Sequence, residues 1–282
     1  MAADGTALAE SRGSEGMLHC TTAGFEPVLR QHLEKLAAPA GLPILICGMA
    51  GARQGWREAP YLATPTRLDA LHCGAVRVDA PEDIRILPGI AQSNAACPDV
   101  MRGEETQLLG AVPADYSGLV CIPGTHSKWV KLTAGCIDAF STYMTGELFA
   151  ILGKHSILAH AVQAGQPLAP DDPAFQSGLA AGAREGLEGQ LFRLRAAQLL
   201  GFEQRADGAA RLSGLLIGAE IDYARRRHGV QQKVLLLAAG MLGRLYEFAL
   251  SEAGFAVAAA DAEIASQAGL AKAAINLWGA RY

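Results

Sequence analysis

The stretch Leu119-Val120-Cys121-Ile122-Pro123-Gly124-Thr125-His126-Ser127-Lys128-Trp129 sets the reading of the whole chain. Its first four residues are a continuous apolar run, the pattern of a strand buried on both faces. Pro123-Gly124 breaks the run and Trp129 to Leu132 resumes it, so the segment reads strand–turn–strand. The turn holds two hydroxyls, an imidazole and an ammonium. A tight turn at a strand end presents backbone N–H groups outward, and Lys128 adds the charge that a phosphate needs. An ordinary surface turn would explain Gly-Thr alone, so the surroundings decide.

Working outward, the same punctuation recurs. Pro43 to Cys47 ends at Gly48, Arg85 to Leu87 at Pro88-Gly89, and Val234 to Leu237 at Ala238-Ala239-Gly240. Helical patterns alternate with these strands. They span about Phe25 to Leu36, a turn leading into a helix within Met101 to Val112, and Gly146 to Leu152 with Thr145 as N-cap. An Ala-rich helical stretch covers about Ala174 to Arg227, and Leu242 to Ala253, the strand Val257 to Ala260 and a closing helix follow. Alternation of this kind specifies an α/β chain, with two lobes around a cleft. The crossing falls within Pro113 to Gly118, dividing the chain into residues 1–115 and 116–282. Asp4-Gly5 is a hairpin signal and Thr6 to Arg12 its second strand. Only Met1, Ala2 and Ala3 precede it, so the first strand is expected upstream.

Composition narrows the function. The chain has 282 residues, half of them hydrophobic and 18% charged, enough for a substantial core. Its formal charge of −4 argues against nucleic acid as a main partner. Arg225-Arg226-Arg227-His228 fits compensation of a helix C-terminus better than a binding patch. Six cysteines occur without a C-x-x-C pair, which disfavours a zinc site or a disulfide framework and suits a reducing cytoplasm. No apolar run approaches the ~18 residues of a membrane helix, and no signal peptide is visible. A soluble, intracellular protein without a membrane partner is expected.

Five segments could carry chemistry, each with a plainer reading beside it. Gly48 to Trp56 is a glycine-rich loop that lets backbone approach a polar ligand beside Arg53, Trp56 and Glu58; a surface turn with a packed Trp is the alternative. It lacks G-x-G-x-x-G, and Gly124 to Lys128 lacks the G-x-x-x-x-G-K-[ST] spacing of a Walker-type kinase. Arg102-Gly103-Glu104-Glu105-Thr106-Gln107 places carboxylates at a glycine turn, where one could take the proton of a substrate hydroxyl during phosphoryl transfer. Arg102 could pair with a substrate carboxylate. A helix start with acidic residues favoured by its dipole explains the same segment. Met144-Thr145-Gly146-Glu147-Leu148 reads as a helix entry. Leu212 to Glu220 has small residues at three- and four-residue intervals, as close helix packing requires. Ala238 to Gly243 could let a flat ring slide against bare backbone, or be a simple strand-to-helix turn.

Taken in order, these segments resemble the 2-dehydro-3-deoxygalactonokinases, sugar-acid kinases of the acetate kinase/hexokinase/actin superfamily. The resemblance rests on Gly48-Met49-Ala50-Gly51 through Tyr61-Leu62, Val100 to Gln107, Pro123 to Trp129, Met144 to Leu148 and Leu212 to Glu220. It implies two ribonuclease-H-like lobes, ATP with Mg²⁺ as donor, and 2-dehydro-3-deoxy-D-galactonate as acceptor at its 6-hydroxyl. It further implies that the first lobe holds the sugar-acid pocket, with Gly48, Met49 and Trp56, and the acidic base. Glu104 occupies the base position and Glu105 is the runner-up. The second lobe would hold Gly124, Thr125 and His126 on the second phosphate loop, Lys128 nearby, and Gly240 on the adenosine-binding turn. The metal ligands are left open. The family also opens with an Asp-x-Gly-Thr-Thr strand end, the first phosphate loop, which this chain lacks. The expectation is therefore a first lobe short of its N-terminal strand, with that strand upstream of Met1. The alternative is a sugar-acid-binding protein without efficient transfer. The Ala-rich closing helix is a candidate homodimer surface.

Overall fold

The computed structural model describes residues 1–2, 5–163, 165, 167–229 and 233–279. In chain order the elements are α1 (Met17–Ala23), α2 (Phe25–Lys35), β1 (Ile44–Ile46), β2 (Tyr61–Ala63), β3 (Thr66–Arg67), β4 (Val76–Arg77), β5 (Ile84–Ile86), β6 (Gly89–Gln92), β7 (Asp99–Met101) and α3 (Glu104–Ala111). There follow β8 (Gly118–Ile122), β9 (Ser127–Thr133), β10 (Cys136–Tyr143), α4 (Thr145–His155), α5 (Pro173–Glu185), α6 (Leu187–Leu199), α7 (Gly208–His228), β11 (Lys233–Leu237), α8 (Gly240–Glu252), β12 (Ala256–Ala260) and α9 (Ala262–Trp278). The class is mixed α/β. Two compact units emerge. One comprises Met1–Ser117, Leu132–Ala139 and Ala262–Tyr282; the other comprises Gly118–Lys131 and Phe140–Asp261. The first crossing falls near Pro113–Gly118, and the chain then returns twice, first with the β9–β10 hairpin tip and finally with α9.

In the first unit, β1 pairs parallel with β5 and β5 antiparallel with β4. Their inner face packs Ile84, Ile86, Ala59 and Val78, with Leu29 of α2 and Trp56 over it. A second small sheet runs β2-β6-β7. The closing helix α9 lies on α3 so closely that a Cβ on Gly110 would stand 1.8 Å from the Ala265 carbonyl oxygen, and one on Gly269 1.9 Å from that of Thr106. Lys272 of α9 donates to the Leu109 carbonyl at 2.9 Å, closing the C-terminus of α3. The small residues of α9 therefore face α3. Residues 6–12 form no strand, contrary to the hairpin expectation, and run irregularly into α1; Asp4 of that expected turn lies outside the described residues.

In the second unit, β12, β11 and β8 are parallel neighbours, and the order continues through β9 and β10. Leu119, Val120, Cys121 and Ile122 are all buried, as a two-sided strand requires. The α5–α7 pair is another close crossing: Cβ atoms on Gly178, Gly182, Gly214 and Gly218 would each fall 2.0–2.2 Å from a carbonyl oxygen of the opposite helix. This is the packing that the spacing in Leu212 to Glu220 predicts. None of the six cysteines forms a disulfide. Among the described residues, no helix is long and apolar enough to cross a membrane.

Candidate active site

The first unit concentrates its chemistry at the turn before α3. Gly103 has φ +112°, a conformation that side-chain-bearing residues rarely adopt. That turn brings Gly103 against the early loop: a Cβ there would lie 3.4 Å from Gly48 Cα. It also folds two carboxylates back on their own backbone. Glu104 Oε2 accepts from Arg102 N–H at 3.0 Å, and both Glu105 oxygens lie 2.8 Å from Gly103 N. Thr106 Oγ1 donates to Glu105 at 3.2 Å.

The two carboxylates then differ sharply. Glu105 is fully buried, and burial, followed by the neighbouring Glu104 charge, pushes its pKa up to about 8. Cys47 beside it is pushed up to about 11 by burial and by the Glu105 charge. Glu104 is only half-buried.

Arg102 ties the early loop to this turn. Its Nη2 donates to the Ala59 carbonyl at 2.9 Å and its guanidinium lies 4.3 Å over the Tyr61 ring. Nη1 backs the loop at Gly51, where a Cβ would come within 2.8 Å of it. Nε and Nη1 are shielded from solvent without a hydrogen-bond partner. Gly48 and Gly51 thus stand with Arg102 and Gly103. Trp56 N–H donates to the Ala50 carbonyl at 2.8 Å, and its ring stacks on Phe25, 6.2 Å between centroids at 14°. Met49 is exposed.

The second unit has its own convergence. Because β8 and β11 are parallel neighbours with Cys121 opposite Leu236, the loops after them leave the same end of the sheet. Those loops carry Gly124, Thr125 and His126 on one side and Gly240 on the other. The carboxyl ends of adjacent parallel strands are where α/β proteins place their ligands. Thr125, His126 and Gly240 are exposed, and Met241 and Leu242 at the start of α8 offer apolar surface.

Lys128, the second residue of β9, is buried against the turn. It is 4% exposed and its Nζ donates to the His126 carbonyl at 3.1 Å, holding the turn from within. His126 Nε2 pairs with Glu147. The entry of α4 is built onto the loop: Glu147 N–H donates to the Thr125 carbonyl at 3.0 Å, and a Cβ on Gly146 would sit 2.5 Å from the Gly124 carbonyl oxygen. Met144, not Thr145, is the N-cap of α4 and makes no side-chain cap bond. Thr145 is the first helical residue, and its hydroxyl donates to the Glu220 carboxylate.

Glu220 is the residue the sequence reading missed as chemistry. It is 2% exposed on α7 and accepts from Trp129 Nε1 at 2.8 Å and from the Tyr246 hydroxyl at 2.6 Å, besides Thr145. A lone acid ending the apolar, small-residue run Leu212 to Ala219 was the available signal. Among the described residues no group of three His, Cys, Asp or Glu could hold a metal ion. A magnesium ion on a nucleotide takes most of its shell from phosphate oxygens and water, so a carboxylate pair or a single carboxylate suffices.

The family model described as 2-keto-3-deoxy-galactonokinase matches residues 1–273. A protein of Rhizobium meliloti (strain 1021) named "Probable 2-dehydro-3-deoxygalactonokinase DgoK1" is 48% identical over 281 residues, 98% of this chain and 92% of that protein. The 2-dehydro-3-deoxygalactonokinase of Escherichia coli (strain K12) is 38% identical over 232 residues, 81% of this chain and 77% of its own. A crystal structure from Sinorhizobium meliloti, described as "a putative 2-dehydro-3-deoxygalactonokinase protein", superposes with a TM-score of 0.92 at 48% identity, covering 98% of this chain and 93% of that one. With a family model spanning nearly its whole length and relatives this similar, the chain belongs to the 2-keto-3-deoxy-galactonokinase family.

Proposed function

We propose that this kinase transfers the γ-phosphoryl group of ATP to the 6-hydroxyl of 2-dehydro-3-deoxy-D-galactonate, in galactonate catabolism. Family membership supports the reaction class and the substrates. The observation that carries the assignment of the base is the contrast between the paired carboxylates. Glu105 is sealed in and proton-retaining, whereas Glu104 is half-buried and held by a backbone N–H at the start of α3. In this reading Glu104 accepts the proton of the acceptor hydroxyl as its oxygen attacks the γ-phosphorus, and ADP leaves. Positioning and charge stabilisation supply most of the acceleration in such transfers.

The two units correspond in this proposal to the ribonuclease-H-like lobes of the superfamily. The first binds the acceptor through Gly48, Met49, Trp56 and Arg102, the guanidinium pairing with the sugar-acid carboxylate. The second binds the nucleotide: Gly124, Thr125 and His126 at the phosphates, Lys128 stiffening the turn, Gly240 beneath the adenosine. Mg²⁺ would come bound to the nucleotide and neutralise phosphate charge. A chain lacking disulfides and drawing on ATP fits the reducing cytoplasm.

The test is direct. Incubation with Mg-ATP and the sugar acid should form ADP and a monophosphate whose phosphorus couples to the C6 methylene protons by NMR. Phosphate on another oxygen, or equal turnover of the corresponding neutral sugar, would contradict the proposal.

A further inference from the structure

Three donors converge on Glu220, and each comes from an element that flanks the phosphate loop or begins at the adenosine turn. Trp129 lies on β9, the strand leaving that loop. Thr145 opens α4, whose first turn touches Gly124 and Thr125. Tyr246 sits on α8, the helix begun by Gly240, and its hydroxyl is also 3.0 Å from Ser127 Oγ at the base of β9. All five residues are buried. Such a centre is not needed for stability alone. Well-packed apolar residues of similar volume commonly stabilise a core as well as, or better than, a buried charge with its partners. What a carboxylate with three directional bonds adds is registry, since each donor must point at one of two oxygens.

We propose that Glu220 is a positioning residue for the nucleotide, fixing the phosphate loop, the entry of α4 and the adenosine turn in one arrangement through Trp129, Thr145 and Tyr246. It touches no substrate. The inference rests on the reading of the second unit as the nucleotide site, and its signature is specific: disturbing the hub weakens ATP without weakening the sugar acid. Raised pKa values at both Glu220 and Tyr246, caused first by burial, accord with a site closed to water.

The experiment compares the wild type with Glu220→Gln and Tyr246→Phe. An amide at position 220 can keep Trp129 Nε1 on its oxygen only by turning its NH₂ towards the Thr145 and Tyr246 hydroxyls, which must then reverse from donors to acceptors, and the negative charge at the centre of the hub is lost. Tyr246→Phe removes one bond with little change in shape. Calorimetry with ADP on the wild type comes first. Absence of binding there would sink the nucleotide-site reading and this proposal with it. Given binding, KM for ATP should rise about tenfold in Glu220→Gln and about threefold in Tyr246→Phe, with KM for the sugar acid within twofold and the melting transition still cooperative. If Glu220→Gln fails to fold, Tyr246→Phe alone decides. A folded variant with unchanged KM for ATP, or with both KM values raised together, overturns the role of Glu220 and leaves the nucleotide site standing.

Discussion

Glu105 and Glu220 are both fully enclosed carboxylates, yet they are held in opposite ways. Glu105 is satisfied within its own turn, by Gly103 and Thr106, one or two residues away. Glu220 is satisfied by side chains 26, 75 and 91 residues distant. The first is a local device that shapes a helix start beside the half-buried Glu104, the proposed base. The second is a tertiary device, and it exists only when β9, α4, α7 and α8 have already come together. In the proposed reading, acceptor chemistry is mounted on a turn, and donor binding on a packed network.

The sharpest way to break this contrast is at the turn itself. Glu104→Gln keeps an oxygen to accept from Arg102 N–H but cannot take a proton, so kcat should fall roughly 10²–10⁴-fold with KM for the acceptor nearly unchanged. Glu105→Gln keeps its backbone partner and should lose less than about tenfold. Steady-state kinetics on the pair decides, and reversed magnitudes would move the base by one residue.

A smaller effect sharpens the same contrast. The Glu105 pKa is raised from 4.5 to about 8 on folding, so between those values the folded chain keeps a proton that the unfolded chain has lost. Stability from this group is complete below pH 4.5 and is lost as pH rises towards 8 and beyond, by an amount on the order of a few kcal/mol. Glu105→Gln removes that dependence. Melting temperatures taken from pH 5 to pH 9 should favour the variant increasingly with pH, and a constant difference would mean that Glu105 ionises freely.

Much of this was legible in the sequence for definite reasons. Strands β1, β8 and β12 are apolar runs, β11 is one after Lys233, and β5 (Ile84-Arg85-Ile86) runs into Leu87 and Pro88-Gly89, so composition and punctuation show them without tertiary information. Strands β2, β3, β4, β6 and β7 have two to four residues, too short to show alternation. β10 was missed although Ala134-Gly135, with φ +47° and +73°, is a two-residue hairpin turn of the primed kind. Ala is a poor advertisement for positive φ. The Ala/Gly stripe of α9 fits any helix, so its partnership with α3 could not be read from one strand of text. At the site, the turn from Gly103 to Thr106 was visible because its hydrogen bonds are local, whereas Arg102 reaches back to Ala59 and Tyr61. The hub at Glu220, and the turning inward of Lys128 and Trp56, depend on contacts that spacing does not encode.

The division of labour between the units is the central claim, and one paired measurement tests it. Both KM values are determined in Arg102→Lys and in Gly146→Ala, the latter pressing a methyl towards the Gly124 carbonyl oxygen, 2.5 Å away. Arg102→Lys should raise KM for the sugar acid at least about tenfold and leave KM for ATP alone, because a point charge cannot replace a planar fork. Gly146→Ala should do the reverse. If both variants raise the same KM, or each raises both alike, acceptor and donor are not divided as described.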